Sequence, residues 1–96
     1  MQSRIEIENK IKSIKPILAS QFAVNKIGYF GSFARNEQRE NSDIDILVEL
    51  QKPLGWAFFD LKDFLEKELN TKVDLVTEAA LKKQIKDLIL KQVKYV

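Results

Sequence analysis

The chain has 96 residues, 45% hydrophobic and 31% charged, and sixteen basic against fourteen acidic side chains leave a net charge of +2. That length suits one domain over residues 1–96 with a modest core, and the absence of cysteine and histidine removes thiol nucleophiles, imidazole bases, disulfides and Cys/His zinc sites together. The charges are too evenly mixed to argue for nucleic acid. No run of about 18 apolar residues suggests a membrane span, and MQSRIEIENK lacks the apolar centre of a signal peptide, so the cytoplasm is the expected compartment. Any metal here must be held by oxygen.

From Ser3 to about Ser20, Ile7, Ile11, Ile14 and Leu18 recur on one helical face, and Ser3 with Glu6 fits a capping box. Pro16 interrupts the pattern and predicts an end or kink just before it. VNKIGYF, Val24 to Phe30, is aromatic and β-branched and reads as a strand running into Gly31. A short helix is expected from Ser32 to about Gln38, then a polar turn at RENS. In DIDILVEL the residues alternate: Asp43, Asp45, Leu47 and Glu49 on one face, Ile44, Ile46, Val48 and Leu50 on the other, which predicts a strand with one face buried. After the break at QKP, Phe58, Leu61, Leu65 and Leu69 predict a helix closed by Asn70. KVDLVT, Lys72 to Thr77, reads as a strand with Asp74 at its centre. From Glu78 onward Leu81, Ile85, Leu88 or Ile89, and Val93 predict a last helix with Thr77 as N-cap. The order is α-β-α-β-α-β-α, an α/β arrangement without linkers or repeats.

Side chains two apart on a strand share a face, so Asp43 and Asp45 project together and repel unless a cation lies between them. Oxygen ligation favours Mg²⁺ or Mn²⁺, and Mg²⁺ takes one or two protein carboxylates and completes its shell with water and substrate phosphate. Gly31 lets backbone approach such a ligand, and Ser32, opening a short helix, offers its hydroxyl and N–H groups to phosphate oxygens. Asp74 adds a third carboxylate if its strand lies beside the first, which would complete a two-metal site for displacement at phosphorus. Each part alone has an ordinary structural reading: alternating acids belong on solvated strand faces, and Gly-Ser belongs in turns. An aspartate within VDLV is less ordinary, because a buried carboxylate needs a partner; the combination carries the argument. Arg35 and Arg39 either bind phosphate or pair with Glu37 and Glu40, Glu49 reads as solvated, and Trp56, Phe58 and Phe59 read as core or interface rather than as a stacking platform for bases.

The strand, Gly-Ser, short helix, Asp-x-Asp strand and later lone aspartate resemble the DNA polymerase β-like nucleotidyltransferase superfamily. Within it, GSFARNEQRENSDIDILVEL is similar to the minimal nucleotidyltransferases, small prokaryotic proteins with a pattern close to GSxARGE…SDIDLLV. The resemblance implies a small mixed sheet flanked by helices that binds a nucleoside triphosphate, with ATP as donor and two Mg²⁺ ions, and transfers the nucleoside monophosphate with release of pyrophosphate. It implies triphosphate binding by Gly31 and Ser32, with Arg35 the candidate to join them, and Asp43, Asp45 and Asp74 as catalytic metal ligands. It also implies a partner, a HEPN-family toxin whose tyrosine is adenylylated, so that this chain is its antitoxin in a hetero-oligomer. The pattern's glycine after Ala-Arg is Asn36 here, a residue that tolerates a left-handed backbone. Two further classes of function stand beside this one: an antitoxin that neutralises its partner by binding alone, and a nucleotide-sensing subunit. Because helices are spent covering the sheet, the acceptor is expected on another chain docked beside Gly31 and Asp43, with Trp56, Tyr95 and Val96 as contacts.

Overall fold

The computed structural model describes residues 3–37 and 43–96. Its elements are α1 (Arg4–Phe22), β1 (Val24–Phe30), β2 (Ile44–Leu50), α2 (Ala57–Leu69), β3 (Val73–Thr77), a 3₁₀ turn (Glu78–Ala80), α3 (Lys83–Gln92) and β4 (Lys94–Tyr95). The strands form one mixed sheet in the order β3-β2-β1-β4. β1 pairs antiparallel with β2 and β4, and β2 runs parallel to β3. A parallel pair cannot be joined by a tight turn, and α2 supplies the crossover between β2 and β3. The expected mixed sheet flanked by helices is present. Among the described residues no helix is long and apolar enough to cross a membrane.

One face of the sheet is the core. Ile27 and Tyr29 of β1, Ile44, Ile46 and Val48 of β2, and Val73 and Leu75 of β3 meet the apolar stripes of α1 (Ile7, Ile11, Ile14, Leu18) and α2 (Leu61, Leu65, Leu69). α1 begins as its capping residues dictate: the Glu6 N–H donates to Ser3 Oγ, and the Ser3 hydroxyl donates to Glu6 Oε1, both at 3.2 Å. It does not stop before Pro16 but continues unbroken to Phe22. Pro16 and Lys12, the residue whose carbonyl loses its partner, are both exposed, which leaves that oxygen accessible to solvent and lowers the cost of the proline. Asn70 closes α2 in the left-handed conformation, φ +53°, as its position after the apolar stripe predicts.

Three expectations need correction. Gly31–Asn36 form a series of turns and not a helix. Gly31 and Asn36 both have positive φ, +72° and +58°, and four residues between two left-handed positions leave no room for a propagating helix. The Gln38 end of that helix and the RENS turn, including Arg39 and Glu40, lie outside the described residues. The last helix does not start at Thr77, which makes no side-chain capping bond; a 3₁₀ turn intervenes, then Leu81 and Lys82 are extended before α3 begins. The element order therefore loses one helix and gains β4. Finally, the Asp45 face of β2 is not open along its length. Leu47 is fully buried, outside the main core and beside Gly28 in register. α3 crosses this face: Lys86 shares a cavity with Glu49 and Thr77, Val93 lies against Gly28, and Gln92 reaches Gly31.

Candidate active site

The parallel register of β2 and β3 places Asp45 directly opposite Asp74. Residues at matching positions of neighbouring strands point to the same face, so the two carboxylates stand side by side. The start of this pairing is pinned twice: the Ile44 N–H donates to the Lys72 carbonyl at 3.0 Å, and the Val73 N–H donates to Glu66 Oε2 of α2 at 2.9 Å. Asp43 precedes the strand and is exposed, Asp74 is exposed, and Asp45 is partly buried. The sequence pointed to Asp43 and Asp45 as the principal pair, but the intimate pair is Asp45 with Asp74. Burial, then the neighbouring charge of Asp74 and a hydrogen bond with it, then Asp43, push Asp45 up to about 6, against a smaller lowering by Arg35. Two carboxylates held side by side repel once both are ionised, and a cation between them would relieve that repulsion. Among the described residues no group of three or more acidic side chains gathers closely enough to hold a metal alone. The donor set still suits Mg²⁺, which needs only one or two carboxylates when phosphate oxygens complete its shell.

Phe30 is opposite Asp45 in the β1–β2 register, so the next residue, Gly31, turns off the sheet beside that carboxylate. A Cβ on Gly31 would run into Asp45 Oδ2, and φ of +72° is one that side-chain-bearing residues rarely adopt. Glycine is required here on both counts. The turn that follows is closed by Arg35 N–H to the Gly31 carbonyl, 3.1 Å, and Glu37 N–H to the Ser32 carbonyl, 2.8 Å. The N–H groups of Ser32, Phe33 and Ala34 find no backbone acceptor among the described residues, the same condition that makes a helix start receptive to anions. Arg4 of α1 donates to the Ala34 carbonyl at 3.3 Å and ties the turn to the core. Arg35 realises the pairing its sequence neighbours suggest, Nε to Glu37 Oε2 at 2.8 Å, and it also lies near enough to Asp45 to lower its pKa.

The turn has a residue that sequence reasoning missed: Gln92, at the end of α3, whose Oε1 accepts from Gly31 N–H and from Arg35 Nη1, each at 3.2 Å. Gly28 is the signal that could have pointed there, since a glycine inside a strand marks close backbone approach. A cavity of about 530 Å³ lies at the far ends of β2 and β3, bordered by Glu49, Leu54, Phe58, Thr77 and Lys86. It includes none of the six candidate residues.

Paired carboxylates beside a glycine-opened turn whose amides lack a backbone acceptor among the described residues put cation ligands and anion donors together, which is what a nucleotide phosphate requires. Comparison with known proteins agrees. Residues 11–96 match the model of the nucleotidyltransferase domain family. The chain is 41% identical over 92 residues to the protein adenylyltransferase MntA of Thermococcus cleftensis, covering 95% of this chain and 93% of that one. It resembles a solved toxin–antitoxin structure with AMP-PNP (31% identity, TM-score 0.74, 91% of this chain and 71% of that one). It also resembles a complex of the tri-AMPylated HEPN toxin of Shewanella oneidensis with its MNT antitoxin (27% identity, TM-score 0.65, 92% and 68%). With a family match over most of its length and a sheet that sets its aspartates beside a Gly-Ser turn, this chain belongs to the nucleotidyltransferase family and is a transferase of that class.

Proposed function

We propose that the chain is an antitoxin that transfers AMP from ATP to a tyrosine hydroxyl of a HEPN-type toxin. The observation that carries this reading is the close approach of Gly31 to Asp45, itself opposite Asp74 in the sheet, which sets the phosphate donors of the turn next to cation ligands. The toxin–antitoxin character of the solved relatives, one with AMP-PNP and one with an AMPylated toxin, supports both donor and acceptor.

Asp43, Asp45 and Asp74 are the residues that would hold two Mg²⁺ ions, with Mn²⁺ as a substitute, and the cations would offset the repulsion between the Asp45 and Asp74 carboxylates. Bound there, the ions would offset the charge of the triphosphate and polarise its α-phosphate. Gly31, lacking a side chain, lets the outer phosphates approach the turn, where Ser32 presents its amide and hydroxyl; Arg35 adds charge from the same turn. The phenolic oxygen of the acceptor forms a bond to the α-phosphorus, the bond from that phosphorus to the bridging oxygen breaks, and pyrophosphate leaves with the electron pair. Asp74 receives the phenolic proton. The chain's own tyrosines are poor acceptors: Tyr29 is buried and donates to Glu8 Oε2 at 2.6 Å, and Tyr95 sits on β4, away from the aspartates.

The test is incubation with labelled ATP and Mg²⁺, with and without a co-encoded HEPN-type partner. Label on the partner's tyrosine that disappears in Asp43→Asn, Asp45→Asn and Asp74→Asn is the expected result. Neutralisation of the partner that survives all three substitutions, with no label transferred, would replace this reading with antitoxin action by binding alone.

A further inference from the structure

The geometry points to Gln92 as a positioning residue of the phosphate-binding turn, gathering the Gly31 N–H and the Arg35 guanidinium onto one oxygen so that the backbone of the turn and the Arg35 side chain are oriented before a triphosphate arrives. This rests on the nucleotidyl-transfer reading of the turn. Both bonds are 3.2 Å and both partners are pure donors, so only the carbonyl end of the Gln92 amide can fill this position. Arg35 is held from the other side by Glu37 at 2.8 Å. Two of its five donors are spent on fixing its plane, and the others remain for phosphate oxygens. A long cationic side chain loses rotamer freedom when it binds a ligand, and a side chain already oriented loses less.

The placement of Gln92 follows from the fold. α3 ends at Gln92, and within two residues the chain has joined the sheet as β4, where Tyr95 pairs with Gly28 and Lys94 with Tyr29. The Val96 N–H donates to the Ile27 carbonyl at 2.9 Å and extends the tie. Such close approach depends on Gly28: a Cβ there would stand 2.8 Å from the Lys94 carbonyl oxygen and 2.9 Å from Val93 Cγ2, too close for either to remain in place. Gly28 thus sets where α3 ends relative to the end of β1, and Gln92 converts that setting into the geometry of Gly31. Gln92 bonds to Gly31 and Arg35 and to none of the three aspartates, so its contribution is to triphosphate binding and not to the chemical step.

The test uses Gln92→Met, which keeps length and volume but removes the acceptor, and Gln92→Glu, which restores an acceptor oxygen. In the nucleotide-free protein, the Gly31 amide resonance should move and exchange with solvent about tenfold faster in the Met variant, and should stay protected in the Glu variant. With ATP and Mg²⁺, the Met variant should raise KM about five- to tenfold and leave kcat within about twofold, the pattern of lost ground-state binding. Gln92→Asn, one methylene short of both donors, repeats the measurement if the Met variant fails to fold. An unchanged Gly31 amide overturns the proposal, as does a moved amide with unchanged KM, or a fall in kcat at constant KM. A wild-type chain that binds no ATP overturns the nucleotidyl-transfer reading and this inference with it, whereas equal binding by wild type and variants overturns this inference alone.

Discussion

The Asp45 carboxylate fills the space a Gly31 side chain would need, and the two residues make separate predictions. Gly31→Ala adds a methyl into the Asp45 carboxylate at φ +72°, so it should destabilise the fold by about 1–3 kcal/mol and abolish the thermal shift produced by ATP with Mg²⁺. In wild type that shift should correspond to about 2.7 kcal/mol at ligand a hundredfold above Kd; its absence at millimolar ATP would remove the nucleotide site. Asp45 holds its proton more tightly when folded, about 6 against 3.8. Its contribution to stability is therefore full below pH 3.8 and is lost as pH rises through 6. Denaturant midpoints of the metal-free chain from pH 4 to 7 should show this fall beside the Asp45→Asn variant, which lacks it. An Asp45→Asn profile parallel to wild type would mean that folding does not raise the Asp45 carboxyl. Asp45 and Asp74 stood out in the sequence because carboxylates within apolar strands need a reason to be there, and Asp43 stood out by its spacing from Asp45. Which two of them pair was not legible, because that depends on a parallel register set across the α2 crossover. Gln92 carries no signature at all: a lone polar residue near a helix end acquires meaning only from where β4 docks.

At the scale of elements, local rules predicted what local forces decide. The strand at Val24–Phe30, the capped start of α1 and the Asn70 closure of α2 each depend on neighbours within a few residues. Where tertiary demands intervene, the pattern misled: α3 has helical spacing, but only Ile89 on it is buried and Ile85 and Leu88 are exposed. β4 is two residues long and has no alternation to read. Another feature invisible in the sequence is Ala23, which terminates α1 in the left-handed conformation at φ +55°, its N–H bonded to the Leu18 carbonyl. Left-handed backbone disfavours any Cβ, so Ala23→Gly should stabilise the protein by about 1 kcal/mol. Urea denaturation would show a higher midpoint at constant m; a lower midpoint would mean that the entropy glycine adds to the unfolded chain outweighs the relief.

Across the whole molecule, the buried and exposed apolar groups should respond in opposite ways. Leu65, fully buried between α1 and the sheet, should cost about 2–5 kcal/mol on replacement by alanine. Trp56, 85% exposed and with its ring tilted against that of the half-exposed Phe59 at 6.0 Å, should cost less than about 0.5 kcal/mol. A loss for Trp56→Ala as large as that for Leu65→Ala in thermal unfolding would mean that this aromatic pair holds the fold together. Trp56 and Tyr95 remain open to a docking protein, as the sequence suggested, whereas Val96 is partly buried against the core and is better placed to hold β4 than to meet another chain. That role has a consequence for self-association. β1 is an interior strand only because Lys94–Val96 lie along it; without them one full side of its hydrogen-bonding groups would face solvent, a template onto which an identical strand could add. A chain ending at Val93 should therefore form strand-linked dimers or larger aggregates at concentrations where the full chain stays dispersed, and light scattering would register the difference. On this view the two-residue β4 is a guard against polymerisation as much as a support for the site.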